Sequence, residues 1–237
     1  AVTTGDYSTA IGGNALKANT TGSGNTAVGT NAMEKNTTGA SNTVMGWNAL
    51  VENTTGISNV ALGVNAMYAN TTGSTNTAIG NSTLRYNTTG ESNTATGEGA
   101  LYNNTTGGTN TANGVNALNS NTEGGNNVAI GYSAGRKNTS GSGNVFIGNG
   151  AGNNDNYQTS SNKLVVANSD TETPLIEGDF SDATLKVNGS LTVTGSMYMS
   201  FASTITSNTT FNGTETIIPV NLQSNSVTLT IDSDQKV

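Results

Sequence analysis

The chain has no cysteine and no histidine among its 237 residues. Disulfides, Cys/His zinc sites and nucleophilic arrangements of the Ser-His-Asp or Cys-His kind are thereby excluded. The missing cysteines leave the redox compartment open. Aromatic residues make up only 5% and hydrophobic residues 32%, too little to fill a broad globular core. Basic residues are also scarce, 8 against 15 acidic, giving a net charge of -7. No basic cluster occurs, which argues against nucleic acid and anionic membrane surfaces as partners. No apolar run approaches the roughly 20 residues of a spanning helix, so no membrane insertion is expected. The opening "AVTTGDYSTA" lacks the charged and apolar regions of a signal peptide.

What the chain does have is Gly, Asn, Thr and Ala in a fixed order with a period of 17. Gly5, Gly22, Gly39, Gly56, Gly73, Gly90, Gly107, Gly124 and Gly141 each open a line of the form G-x-x-N-T-A-(I/V)-G-x-N-A-L-x-x-N-T-T. A disordered tract has no physical reason to hold such register, so a stacked repeat architecture is predicted. The eighth position is also always Gly, from Gly12 to Gly148. Both glycine positions suit corners that need positive φ or close backbone approach. Two short strands per line are predicted between them, one over T-A-I and one over N-A-L as in Asn48-Ala49-Leu50. A line of this length is too short for a helix plus a strand and fits one coil of a narrow β-roll.

The fold class expected is therefore all-β: a repetitive β-roll or β-solenoid of 17-residue coils over residues 1–152, a boundary at 153–162, and a short intertwined β segment over 163–237. Two apolar positions are predicted to form a core ladder. The seventh carries Ile11, Val28, Met45, Leu62, Ile79, Thr96, Asn113, Ile130 and Ile147; the twelfth carries Leu16, Met33, Leu50, Met67, Leu84, Leu101 and Leu118, then Gly135 and Gly152. On this reading Asn113 is a polar defect, and Asn113→Ile should raise the melting temperature. Alanines at the sixth and eleventh positions are small enough for close packing. Because one slender coil buries little, packing of alanine faces of several copies into a closed homo-oligomer is expected. The Asn positions, Asn25 to Asn144 and Asn19 to Asn138, are read as structural side-chain ladders. The N-x-S/T sequons they create are read as by-products of the turn. In the later segment, Asn188-Gly189 between Leu185-Val187 and Leu191-Val193 predicts a hairpin turn.

The lines "NTAVGTNAMEKNTTG" and "NTAIGNSTLRYNTTG" resemble the repeat of phage-type tail-fibre proteins, many of which end in an intramolecular chaperone domain. They are similar, at a shorter period, to the left-handed β-roll heads of trimeric autotransporter adhesins. The resemblance is close over residues 5–152 and looser over 162–197. It implies a homotrimer on a virion or outside a cell that contacts a host surface, with a polysaccharide or protein receptor. The self-cleaving chaperone domain is not among these 237 residues.

Catalysis finds little support, and neither a cofactor nor a metal is expected. Glu91 and Glu98 occupy variable positions and read as solvated charges rather than a glycosidase pair. The stretch "GNNDNYQTS" does not fit a calcium loop. The candidate surface-ligand contacts are Trp47, Tyr68, Tyr86, Tyr102 and Tyr132, aromatics at variable positions that could stack on sugars. The double threonine file that starts at Thr20-Thr21 and recurs through Thr105-Thr106 raises a further reading, an ice-binding or surface-coating solenoid. An adhesin head is the nearer alternative to the tail fibre.

Overall fold

The computed structural model describes residues 7–192 and 194. Each 17-residue line makes one coil with a single three-residue strand, from β1 (Thr9–Ile11) through β9 (Val145–Ile147). Successive strands pair in parallel with a register shift of one line, Thr26 opposite Thr43 and Ala27 opposite Val44. The predicted β-solenoid is thus present. The predicted second strand is not. Residues at the tenth and twelfth positions take left-handed backbone, as in Asn48 (φ 54) and Leu50 (φ 51), which turns the N-A-L segment into consecutive tight corners. Its amides still bond to the next coil, as in Leu50 N to Ala66 O at 2.9 Å.

Those corners reorganise the core. The twelfth-position side chains Leu16, Met33, Leu50, Met67, Leu84, Leu101 and Leu118 are fully buried, as predicted. The seventh position is not core: Ile11, Met45, Ile79, Ile130 and Ile147 are 39–59% exposed, and Val28 and Leu62 are half-buried. The reason is strand alternation. In T-A-I only the middle residue points inward, and the sixth position (Ala27, Val44, Ala61, Ala78, Ala95, Ala112, Ala129) is completely or almost completely buried. With the eleventh-position alanines it faces the Leu/Met column, so the alanines fill the coil interior and are not free to pack against another chain. Asn113 is exposed, so the basis for a stabilising Asn113→Ile substitution disappears.

Two buried asparagine ladders run along the coil. Asn19, Asn36, Asn53 and their successors each donate Nδ2 to a glycine carbonyl three residues on and, from Asn36 onward, to the Oδ1 of the preceding Asn at 2.7–2.9 Å. In the second ladder, Asn42 N donates to Asn25 Oδ1 at 3.0 Å and Asn42 Nδ2 to Gly56 O at 3.0 Å, and the pattern recurs coil after coil. These bonds confirm the structural reading. They also close the sequons, whose Asn side chains are at most 1% exposed.

The solenoid does not stop at residues 153–162. That segment is a coil lengthened by two residues, and β10 (Lys163–Val166) adds to β9 in parallel, Leu164 opposite Val145. β11 (Ile176–Asp179) and β12 (Thr184–Val187) then complete the sheet in antiparallel fashion. The turn of that hairpin is residues 180–183. Asn188 instead fastens the chain just after β12, its N donating to Leu175 O at 2.9 Å and its Nδ2 to Pro174 O at 2.7 Å. The chain divides into a unit over Ala1–Leu191 and another over Thr192–Val237. The strands expected beyond Thr194 lie outside the described residues.

Candidate functional site

The variable thirteenth and fourteenth positions carry a cluster that the regular repeat lacks. In three successive coils the thirteenth position reads Tyr68, Arg85, Tyr102, and stacking places them side by side, with Tyr86 at the fourteenth position between them. The Arg85 guanidinium carbon lies 5.9 Å from the Tyr68 ring centroid, 5.5 Å from that of Tyr86 and 5.9 Å from that of Tyr102. The Tyr86 and Tyr102 rings meet edge to face at 5.1 Å. Each cation–π contact of this kind stabilises by about 0.5–1 kcal/mol at an exposed site, enough together to hold the guanidinium in one place. The Tyr102 phenol is pushed above its ordinary value, first by hydrogen bonding with the Tyr86 phenol and then by burial, with Arg85 opposing.

Beside this cluster opens a shallow cleft of about 270 Å³ lined by Ser82, Arg85, Glu98, Gly99, Tyr102 and several Asn side chains. Its origin is a break in the tenth position. In the first coils that position is Asn, and the amides bond one to the next: Asn14 Nδ2 to Asn31 Oδ1 at 3.0 Å, Asn31 Nδ2 to Asn48 Oδ1 at 2.9 Å. Ser82 and then Gly99 interrupt the row and leave part of its space open. Asn119 reaches back into that space, donating to Gly99 O at 2.9 Å and Asn116 Oδ1 at 3.2 Å. A side chain at Gly99 would meet Asn116 Oδ1 at 2.7 Å, so the glycine is needed to keep the cleft open.

The structure therefore brings together three of the five aromatics singled out in the sequence, Tyr68, Tyr86 and Tyr102. Trp47, in the coil before that of Tyr68, and Tyr132, two coils beyond that of Tyr102, are exposed at the ninth position and make no ring contact with the group. Sequence reasoning missed Arg85 as the centre of the group and Glu98 as a wall of the cleft, although Glu98 is exposed, as its reading as a solvated charge expected. The available signals were the Tyr-Arg-Tyr succession at one position and the loss of Asn at another. Glu91 does not line the cleft, so no carboxylate pair forms there.

The other features resolve as structure. Among the described residues no group of His, Cys, Asp or Glu could hold a metal. Asp155 of the supposed calcium stretch pairs with Lys137 at 3.0 Å, which holds its carboxyl below the usual range. A second hollow, of about 460 Å³, lies against the terminal hairpin; its charges are paired, Lys163 with Asp179 and Lys186 with Glu177. Of the two threonine files, one is committed: Thr37 Oγ1 donates to Thr54 O, and Thr54, Thr71, Thr88 and Thr105 repeat the bond. Only the other file leaves hydroxyls outward, so no flat double rank forms there. Among the described residues no helix is long and apolar enough to cross a membrane. Comparison with family models, curated proteins and solved structures yields no match.

Proposed function

We propose that this chain is the β-solenoid shaft of a homotrimeric attachment fibre, carried on a virion as a tail fibre, that contacts a host-cell surface through repeated weak contacts rather than one deep pocket. One observation carries this reading: the outward rank Ile11, Val28, Met45, Leu62, Ile79, Ile130, Ile147, half-buried to exposed on the isolated chain. Nine coils at about 4.8 Å each make a stripe roughly 43 Å long. Thr96 and Asn113 interrupt it, and the seven other coils each present an apolar side chain; apolar stripes of this kind mark association surfaces. A second copy of the chain, parallel and in register, meets every member with the same spacing. A closed ring of copies leaves none exposed. The strand face thus replaces the alanine faces as the means of association. A cell-surface adhesin head would share this architecture.

The same face also favours a second reading. Threonines of the fifth position (Thr9, Thr26, Thr43, Thr77, Thr94, Thr111) stand beside the apolar rank on a sheet of parallel strands. Two regular ranks of this composition could order water, as an ice-binding solenoid requires.

Light scattering on the 237-residue chain separates the two. A mass three times 23.9 kDa, reduced to that of one chain by the triple variant Met45→Lys, Ile79→Lys, Ile130→Lys, supports the fibre. A folded monomer that changes ice-crystal growth habit overturns it in favour of the second reading.

A further inference from the structure

The cleft at coils five to seven has a chemistry that the shaft does not need. Arg85 Nε is buried without a hydrogen-bond partner. Among the described residues neither Arg85 nor Glu98 takes part in an ion pair, although both line the same cleft. In the first coils the facing charges of this surface are paired, Lys17 with Glu34 and Lys35 with Glu52. A guanidinium fixed by three rings, an unpaired carboxylate and several amides around one small hollow make a row of planar donors and acceptors. Tyr102 adds an aromatic wall. The cleft opens where Ser82 and Gly99 interrupt the tenth-position asparagines.

We propose that this cleft is a binding site for one pyranose unit of a neutral polysaccharide. Vicinal hydroxyls are both donors and acceptors. Arg85 donates to them, Glu98 accepts from them, the Asn amides do either, and the Tyr102 ring packs against the sugar's C–H face. An anionic sugar fits less well, because Glu98 would face its carboxylate and the whole chain carries a charge of -7. Divalent metal has too few carboxylates here, and an apolar peptide finds little lining to bury. The hollow is near the lower end of small-ligand sites, which run to roughly 300–1,000 Å³, so a weak, repeated contact is expected rather than a tight one.

The inference deepens the attachment reading by naming the ligand class, but its test stands apart from the trimer's. Saturation-transfer NMR is run on the full chain with neutral trisaccharides of glucose, galactose, mannose and N-acetylglucosamine, each at about 5 mM, and with trigalacturonate. At least one neutral sugar should give transfer that persists in 0.5 M salt. Glu98→Gln, Arg85→Gln and Tyr102→Ala should each weaken it about tenfold or more, while Tyr132→Ala, an exposed aromatic outside the cleft, leaves it unchanged. Circular dichroism verifies that each variant keeps the fold. No transfer from any neutral sugar, transfer indifferent to all three cleft variants, or binding of trigalacturonate alone overturns the proposal. A monomer that binds a neutral sugar here keeps this site and loses the fibre; a trimer that binds none keeps the fibre and loses the site.

Discussion

At the scale of single residues, the solenoid rests on positions where backbone geometry leaves little choice. The eighth-position glycines combine φ between +112° and +147° with a neighbour pressed against the missing side chain; at Gly63 (φ +141°) an added Cβ would lie 2.3 Å from Gly80 O. Gly63→Ala is expected to cost more than about 3 kcal/mol, since a strained φ of this kind alone costs about 1–3 kcal/mol. Gly13→Ala is the control: its nearest neighbour is Thr30 Cγ2 at 4.0 Å, and urea unfolding should find it within about 0.5 kcal/mol of the parent. The twelfth-position Leu and Met residues also stand at positive φ, which costs each roughly 1–2 kcal/mol. Full burial gains about 1.5–3 kcal/mol, so burial wins and the residue stays large. The asparagines allow a sharper test. Asn76→Leu strands the Asn93 backbone N–H, which Asn76 Oδ1 now accepts at 2.9 Å, and removes one of the two donors to the Gly90 carbonyl, which keeps Asn87 Nδ2 at 3.0 Å. One buried orphan implies a loss of roughly 1–3 kcal/mol by urea unfolding, despite the gain in apolar volume.

At the scale of elements, the ninth coil shows how the stack ends. Phe146 takes the place of the usual sixth-position alanine and is fully buried, while the twelfth-position leucine becomes Gly135 and Gly152. A Cβ on Gly135 would meet the Phe146 ring at 2.4 Å, and one on Gly152 at 2.2 Å. What reads in sequence as decay of the repeat is an exchange of volume across the coil. Phe146→Ala should therefore destabilise by about 3–5 kcal/mol, and adding Gly135→Leu and Gly152→Leu should restore much of the loss. Either glycine substitution alone should destabilise, because the ring occupies its space. The first asparagine ladder ends here as well. The next coil is two residues longer and supplies no asparagine to the buried row, Asp155 being exposed and paired with Lys137, and Asn138 Oδ1 is left without a partner. Beyond it, Lys163 on β10 bonds to Asp179 on β11, and Ser181 N donates to the same carboxylate at 2.9 Å. The lysine first, then the serine, holds the Asp179 carboxyl at about 2 against an ordinary 3.8. A depressed carboxyl stabilises the fold above its ordinary value and loses that contribution as pH falls toward the folded one. Thermal melts from pH 5 down to pH 2 should show a decline below about pH 4 that is smaller in Asp179→Asn.

For the described solenoid as a whole, the outward apolar rank governs behaviour. Within one chain Asn113 is a surface residue, so Asn113→Ile should leave the stability of a dispersed monomer within about 0.5 kcal/mol. In an assembled trimer the same substitution extends the interface, and the melting temperature should rise and depend on protein concentration. A rise without concentration dependence would place the seventh position inside the single-chain core after all. The cleft at coils five to seven belongs to a different part of the coil surface, the ninth to fourteenth positions, so the association proposed through the strand face would leave its variable residues to outside partners.

The period of 17, the constant glycines, the buried leucine column and the two asparagine ladders were all legible in the sequence, because a repeat supplies its own comparison and each position must meet the same neighbours in every coil. Which side of the strand faces inward was not. T-A-I presents an apolar residue to one side and an alanine to the other, and composition favours the larger as core; the tight left-handed corners leave room inside only for the smaller. The hairpin turn moved for a similar reason, since pairing with β11 decided where β12 ends, and Asn188-Gly189 was left outside the turn. The candidate site divides in the same way. Its tyrosines were visible as aromatics at variable positions, but their gathering around Arg85, and the cleft opened by Ser82 and Gly99, depend on residues 17 apart being stacked side by side. The sequence by itself determined the coil and its spacing, through local geometry repeated without change. Only the tertiary structure decided what those coils enclose and what they display, because inside and outside are properties of the closed coil rather than of any one line.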